Sequence, residues 1–305
     1  MDCSICPEVS IGDWGQELLA QLGGRRYPLG ATFEITERCN LACVHCFINQ
    51  PAGSRAALTH ELTLTEVRAI LDQMADAGCL TLLLTGGEVL LRPDFDEIYR
   101  HAVQRGMLVT VFTNGTLLTT AIADLLAEWP PRLVEISLYG RTRETYERVT
   151  GVPGSYDRCM RGIELLKARG VRVGLKSVVL TANRHERQQM MAFAEQLGVP
   201  FRYDAMLWPR SDGGHQPWTY RLSPEEIVSL DRDDPERREK WQGLDANLSA
   251  GLSRSEAVYH CGAGYQAFHV DAAGRMTLCM MARRLSYDLL QGSFAEGWEF
   301  LGTLR

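Results

Sequence analysis

Residues 31–50 read ATFEITERCNLACVHCFINQ. The first six residues form a strand pattern, and the chain then turns at once into a loop carrying Cys39-x3-Cys43-x2-Cys46. Three thiolates on one short loop can bind three irons of a [4Fe–4S] cube and leave the fourth iron without a protein ligand. The same thiols with His45 could form a Cys3His zinc site, and idle buried thiols are a third alternative. His45 stands directly beside Cys46, and adjacent residues rarely both reach one tetrahedral metal, which counts against zinc.

Outward from this loop, strand and helix patterns alternate. LTLLLT (80–85), MLVTVFT (107–113), RLVEISL (132–138), VRVGLKSVVL (171–180) and PFRYDAM (200–206) read as strands. Between them lie amphipathic stretches such as LTEVRAILDQMADAG and SYDRCMRGIELLKARG, several of them closing on glycine, the residue that tolerates a left-handed helix cap. Strands alternating with helices of this length predict βαβ units and a parallel sheet. Six units are too few for a closed eight-fold barrel. The expected fold is therefore α/β, a partial (β/α)6 TIM-like barrel, with function at the C-terminal strand ends.

The flanks obey a different grammar. Residues 1–30 hold one short helix, DWGQELLAQLG, before the core of 31–206. WPRSDGGHQPW (208–218) reads as a connector, and a charged helix follows with Ser223 as N-cap and Pro224 in its first turn, so 207–258 is assigned to linker and helices. Residues 259–305 form a small C-terminal β-hairpin and helix extension, with the hairpin turn at 271–274.

The chain has 305 residues, 45% hydrophobic and 23% charged, enough for a large buried core. A net charge of −6 argues against nucleic acid as the main partner. No run of 18 apolar residues predicts a membrane span, and MDCSICPEVSIGDWGQ lacks the basic and apolar regions of a signal peptide. Nine unevenly spread cysteines do not resemble a disulfide framework. Thiols kept for metal in a reducing compartment imply a cytoplasmic protein.

The cysteine spacing and the strand before it resemble the radical SAM superfamily, whose signature is C-x3-C-x-aromatic-C, over residues 31–206. The resemblance implies a [4Fe–4S] cluster on Cys39, Cys43 and Cys46 whose open iron chelates S-adenosylmethionine (SAM). Reductive cleavage there would release a 5′-deoxyadenosyl radical, chemistry that belongs to the cofactor while the protein supplies geometry and shielding. It further implies His45 against the adenine, and Gly86-Gly87-Glu88 as the motif whose backbone and acid hold the methionine amino group. Val89 stands where the family usually has proline. Asn114, in a Thr-Asn-Gly turn, would lie beside the cofactor, Ser137 would contact ribose or carboxylate, and Lys176 would pair with the carboxylate. Each alone has a plainer reading, as a turn, a core hydroxyl or a solvated lysine. Their force is that all fall at the ends or faces of consecutive strands.

Cys261 and Cys279 on the hairpin resemble the start of the SPASM or twitch extension, which ligates an auxiliary iron–sulfur cluster. Two thiols cannot hold a cube, and no cysteine follows Cys279, so either the sequence is shortened or other residues complete the site. Cys3-x2-Cys6 has metal-clip spacing and could add two ligands. Cys79 and Cys159 read as packing residues.

The resemblance favours an enzyme that abstracts hydrogen from a peptide or protein substrate. The alternatives are a small-molecule or cofactor-biosynthesis dehydrogenase, including the branch that trims haem precursors, and a non-catalytic metal-stabilised binding protein. An external one-electron donor such as flavodoxin or ferredoxin is implied. Tyr139, Tyr203, Asp204 and Trp208 are candidates to face the substrate.

Overall fold

A computed structural model describes residues 17–18, 20–48, 50–239, 241–242 and 261–305. Six strands fall where the sequence places them: β1 Gly30–Thr36, β2 Thr81–Gly86, β3 Leu108–Thr113, β4 Leu133–Ser137, β5 Val173–Val178 and β6 Phe201–Asp204. Each pairs in parallel with the next. Between them run α1 Leu64–Asp76, α2 Phe95–Gln104, α3 Thr120–Glu128, α4 Arg143–Thr150, α5 Ser155–Lys167 and α6 Arg187–Leu197. The fold is the expected α/β partial barrel.

The core lies between strands and helices. Phe33 and Ile35 of β1, Leu82 and Leu84 of β2, and Val109 and Val111 of β3 are all buried, in one cluster with Leu71 and Met74 of α1 and Ile98 of α2. The alternate residues Thr32, Leu83, Thr110, Phe112, Glu135 and Arg202 line the barrel lumen, as the period-2 geometry of a strand requires. Helix starts follow their capping chemistry. Thr63 and Glu66 form a capping box at α1, and Ser223 and Glu226 form another at α7, Pro224–Arg232.

The C-terminal hairpin forms as expected, with β7 Ala267–Val270 and β8 Arg275–Thr277 joined by a turn in which the Gly274 amide donates to the Asp271 carbonyl (3.0 Å). Its first strand continues the barrel. β7 pairs in parallel with β1, Gly30 opposite Ala267 and Phe33 opposite Val270, and β9 (Tyr287–Asp288) completes a nine-stranded sheet. Helix α8, Phe294–Thr303, packs Phe294 and Trp298 against Phe268 of β7. Strand β1, which leads into the cysteine loop, is thus flanked on both sides. Among the described residues, no helix is long and apolar enough to cross a membrane.

Candidate functional site

The loop after β1 is closed at its base. Arg38–Cys39 pairs with Gln50–Pro51 in a two-residue bridge. The Arg38 guanidinium donates to both carboxylate oxygens of Glu61 (2.7 and 2.9 Å), and the Thr36 hydroxyl donates to the same carboxylate. Both side chains of this pair are largely buried, at 11% and 6% exposure. The end of β2 presses on the same junction. The Gly87 amide donates to the Thr36 carbonyl (2.7 Å) and the Glu88 amide to the Arg38 carbonyl (2.8 Å). A Cβ on Gly86 would sit 2.1 Å from the Thr36 carbonyl oxygen, and one on Gly87 2.2 Å from that of Arg38. Gly86 also takes φ +142°. Both glycines are therefore required by close backbone approach, and Gly86 by its positive φ as well.

Halfway round, the loop is pinned to the end of α4. The Ala42 amide donates to the Thr150 carbonyl (2.9 Å) and the Val44 amide to the Val149 carbonyl (3.0 Å), flanking Cys43. The three thiols border a cavity of about 250 Å³ walled by Gly86, Gly87, Asn114, Ser137, Tyr139, Lys176 and Met280. None of the three is in a disulfide.

The electrostatics suit bound metal. Burial pushes the Cys39 thiol up to about 12, and burial with the neighbouring Cys46 and Cys39 holds Cys43 well above its ordinary range. Thiolates this buried are costly until a cation replaces their protons. Among the described residues, no three His, Cys, Asp or Glu side chains converge closely enough to hold one ion. Three thiols around one cavity are the donor number that a [4Fe–4S] cube with one open iron takes from its protein.

The remaining expected residues divide into wall and support. His45 lines the cavity, edge-on to Tyr139 with ring centroids 4.6 Å apart. Burial pushes His45 down to about 4, so its ring is neutral, and its Nδ1 is buried without a hydrogen-bond partner. Lys176 also reaches the wall, its Nζ 3.0 Å from the Phe112 ring centroid. Burial lowers its pKa to about 7, with the Glu135 charge opposing and the Arg202 charge assisting. Glu88 does not line this cavity. It is fully buried behind the wall, where its carboxylate accepts from the Thr113 hydroxyl (2.6 Å), the Asn114 amide (2.7 Å) and the Leu90 amide (3.2 Å). Burial still raises its pKa against those hydrogen bonds.

A second cavity, of about 260 Å³, adjoins the first and shares His45, Phe47, Phe112, Tyr139, Lys176, Val178 and Met280 with it. Ser177, Arg202, Asp204, Met206, Leu207, Trp208 and Met281 complete its lining. Of the four candidates to face substrate, Tyr139, Asp204 and Trp208 lie here. Tyr203 does not. It points to the other face of β6, its hydroxyl bonded to Asp234 (3.0 Å), as strand parity dictates once Arg202 and Asp204 face the lumen.

Sequence patterns gave no hint of the seam that brings Met280 here. Arg283 donates to the Met280 carbonyl (2.7 Å) and to the fully buried Glu34 of β1 (2.6 Å). Cys261 is exposed in the loop before β7, and Cys279 is half-buried after β8. Cys3 and Cys6 lie outside the described residues. Cys79 and Cys159 are buried in the main core.

The family model of the radical SAM superfamily matches residues 33–194, more than half of the chain. The chain is similar to the mycofactocin maturase MftC of Mycobacterium tuberculosis, 33% identical over 290 residues that cover 91% of this chain and 72% of that protein. It is similar to the AdoMet-dependent heme synthase of Methanosarcina barkeri, 28% identical over 91% of this chain and 84% of that protein. Against two other relatives, a Fe-coproporphyrin III synthase and a second AdoMet-dependent heme synthase, the match spans less than half of their length. Streptococcus suis SuiB bound to its precursor peptide SuiA shares the fold with a TM-score of 0.71 at 16% identity, covering all of this chain and 75% of that one.

Proposed function

Because the chain belongs to the radical SAM superfamily, we propose that Cys39, Cys43 and Cys46 hold a [4Fe–4S] cluster in the first cavity and that a peptide residue enters the second. Bound there, the cluster supplies the electron that cleaves SAM reductively to a 5′-deoxyadenosyl radical, which abstracts a substrate hydrogen. The observation that carries this is the three-thiol loop closed around a cavity walled by Gly86, Gly87 and Asn114.

The chain's own residues then have definite tasks. Gly86 and Gly87 let the end of β2 press against the cysteine loop, where a Cβ would strike the Thr36 or Arg38 carbonyl, and so set the wall that faces the methionine end of SAM. The neutral His45 ring lies against the adenine, and Ser137 takes a ribose or carboxylate contact. Glu88 keeps the Thr113–Asn114 turn in place from behind the wall. Lys176 pairs with the carboxylate, and this sets a pH dependence. Its ammonium is charged below about 7 and neutral above, so SAM affinity falls by up to about tenfold per pH unit above that value. Calorimetric titration between pH 6 and 8.5 tests this; an unchanged dissociation constant would remove the ion pair.

The second cavity, about 260 Å³ and adjoining the first, has room for one side chain of a longer substrate that stays outside. Met206 and Trp208 at its lining are 56% and 44% exposed, leaving an apolar lip for the flanking residues. The runner-up is a haem precursor, favoured by the length over which the heme synthase matches, although a tetrapyrrole exceeds this space. Cys261 and Cys279 would supply two ligands of an auxiliary iron–sulfur cluster, with Cys3 and Cys6 as further candidates, and flavodoxin or ferredoxin would supply the electron. Anaerobically reconstituted protein given SAM and dithionite should form 5′-deoxyadenosine, faster with a peptide than with a tetrapyrrole. No 5′-deoxyadenosine would leave a metal-stabilised binding protein, and the reverse preference would favour the haem branch.

A further inference from the structure

Beside Cys39 three side chains close a ring of hydrogen bonds. Asn40 Nδ2 donates to Thr116 Oγ1 (2.8 Å), Thr116 Oγ1 donates to Asn114 Oδ1 (2.6 Å), and Asn114 Nδ2 donates to Asn40 Oδ1 (2.9 Å). The Thr116 backbone amide also donates to Asn114 Oδ1 (2.9 Å). With two donors on its oxygen, the Asn114 amide has only one orientation that satisfies the ring. Its NH2 must face away from Thr116. One hydrogen then goes to Asn40, and the other is left for Cys39 Sγ, 3.8 Å away. The Leu41 amide reaches the same sulfur at 3.4 Å. Cys39 thus receives a side-chain N–H as well as a backbone one, and the ring lines the first cavity only through Asn114.

We infer that Asn40 and Thr116 are positioning residues that hold the Asn114 amide on the Cys39 sulfur and so raise the reduction potential of the cluster bound there. An N–H donor spreads the negative charge of a ligating thiolate. The reduced cluster carries one more electron than the oxidised one, so it gains more from the donor, and hydrogen bonds to the sulfurs are an established determinant of potential. A closed ring, in which each bond polarises the next, holds that donor more firmly than any single contact. Thr116 and Asn114 are buried at 6% and 8% exposure, so water competes little for their oxygens.

The inference rests on the cluster proposed above, and the two can fail separately. Thr116→Val keeps the side-chain shape and removes the hydroxyl that is both donor and acceptor. In a potentiometric titration of the reconstituted cluster followed by electron paramagnetic resonance, the Thr116→Val midpoint should lie below that of the wild type, while the dissociation constant for SAM stays unchanged. Thr116→Ser, which keeps the hydroxyl, should restore the wild-type midpoint. Asn40→Ala, at a half-buried position, should shift it downward as well and decides the matter if Thr116→Val fails to fold. Wild-type midpoints in both Thr116→Val and Asn40→Ala would overturn the inference. A wild-type protein that binds neither iron nor sulfide would overturn the proposed cluster itself.

Discussion

Cys43→Ala is expected to lose the SAM cluster's share of the iron–sulfur absorbance and all 5′-deoxyadenosine formation while the polypeptide stays folded. The amides on either side of Cys43 are tied to Val149 and Thr150, so its sulfur is delivered to one place and a neighbouring thiol cannot swing in to replace it. The other thiols of the barrel, Cys79 and Cys159, are buried in the core. Two thiolates cannot retain a cube that needs three protein ligands, so bound iron falls by about four atoms per chain. Trading a protonated buried thiol for a methyl group costs the metal-free fold little, because free cysteine packs as a small hydrophobe. Iron and sulfide analysis beside circular dichroism reads both halves. Iron that stays at the wild-type level would show that Cys43 is not a ligand.

Glu61→Ala is expected to be strongly destabilising although Glu61 borders neither cavity. It strips the partner from Arg38 and from the Thr36 hydroxyl, leaving a guanidinium in a largely buried position. Breaking a buried pair by removing one partner costs about 3–5 kcal/mol. Because Arg38 is chain-adjacent to Cys39, the loss also loosens the base of the cysteine loop, and iron content should fall with the unfolding midpoint in denaturant. Replacing both partners with methionine should recover most of the stability, since well-packed apolar residues often substitute for a buried pair without loss. A Glu61→Ala midpoint within experimental error of the wild type would mean that the loop is held by its backbone contacts alone.

Much of this architecture was legible in the sequence because it is local. The six barrel strands declare themselves through β-branched runs, and the helices through periodicity and their glycine ends. The cysteine loop announces its chemistry by spacing. What spacing does not disclose is the reason Gly86 and Gly87 are glycine, since that is a contact with the carbonyls of Thr36 and Arg38, some fifty residues earlier. Glu88 illustrates the same gap. Motif reading puts its carboxylate on the cofactor, and it does not foresee that Thr113, Asn114 and Leu90 donate to the same carboxylate. The wrong side assigned to Tyr203 was avoidable, because Asp204 and Tyr203 must face opposite ways on a strand. Glu61, Asn40 and Thr116 carry no sequence signal, as each acts only through a partner brought close by folding. The parallel pairing of β7 with β1 is invisible for the same reason, being a contact across more than two hundred residues.

That pairing has a consequence for biosynthesis. While the nascent chain emerges, β1 can dock against β2 early, but its other edge waits for Ala267–Val270 to leave the ribosome. Until then a strand carrying buried Phe33 and Ile35 presents unpaired amides and carbonyls, the template on which chains self-associate. Such late, distant closure is slow. Assistance from a chaperone would matter most during the interval between translation of the sixth strand and of the seventh.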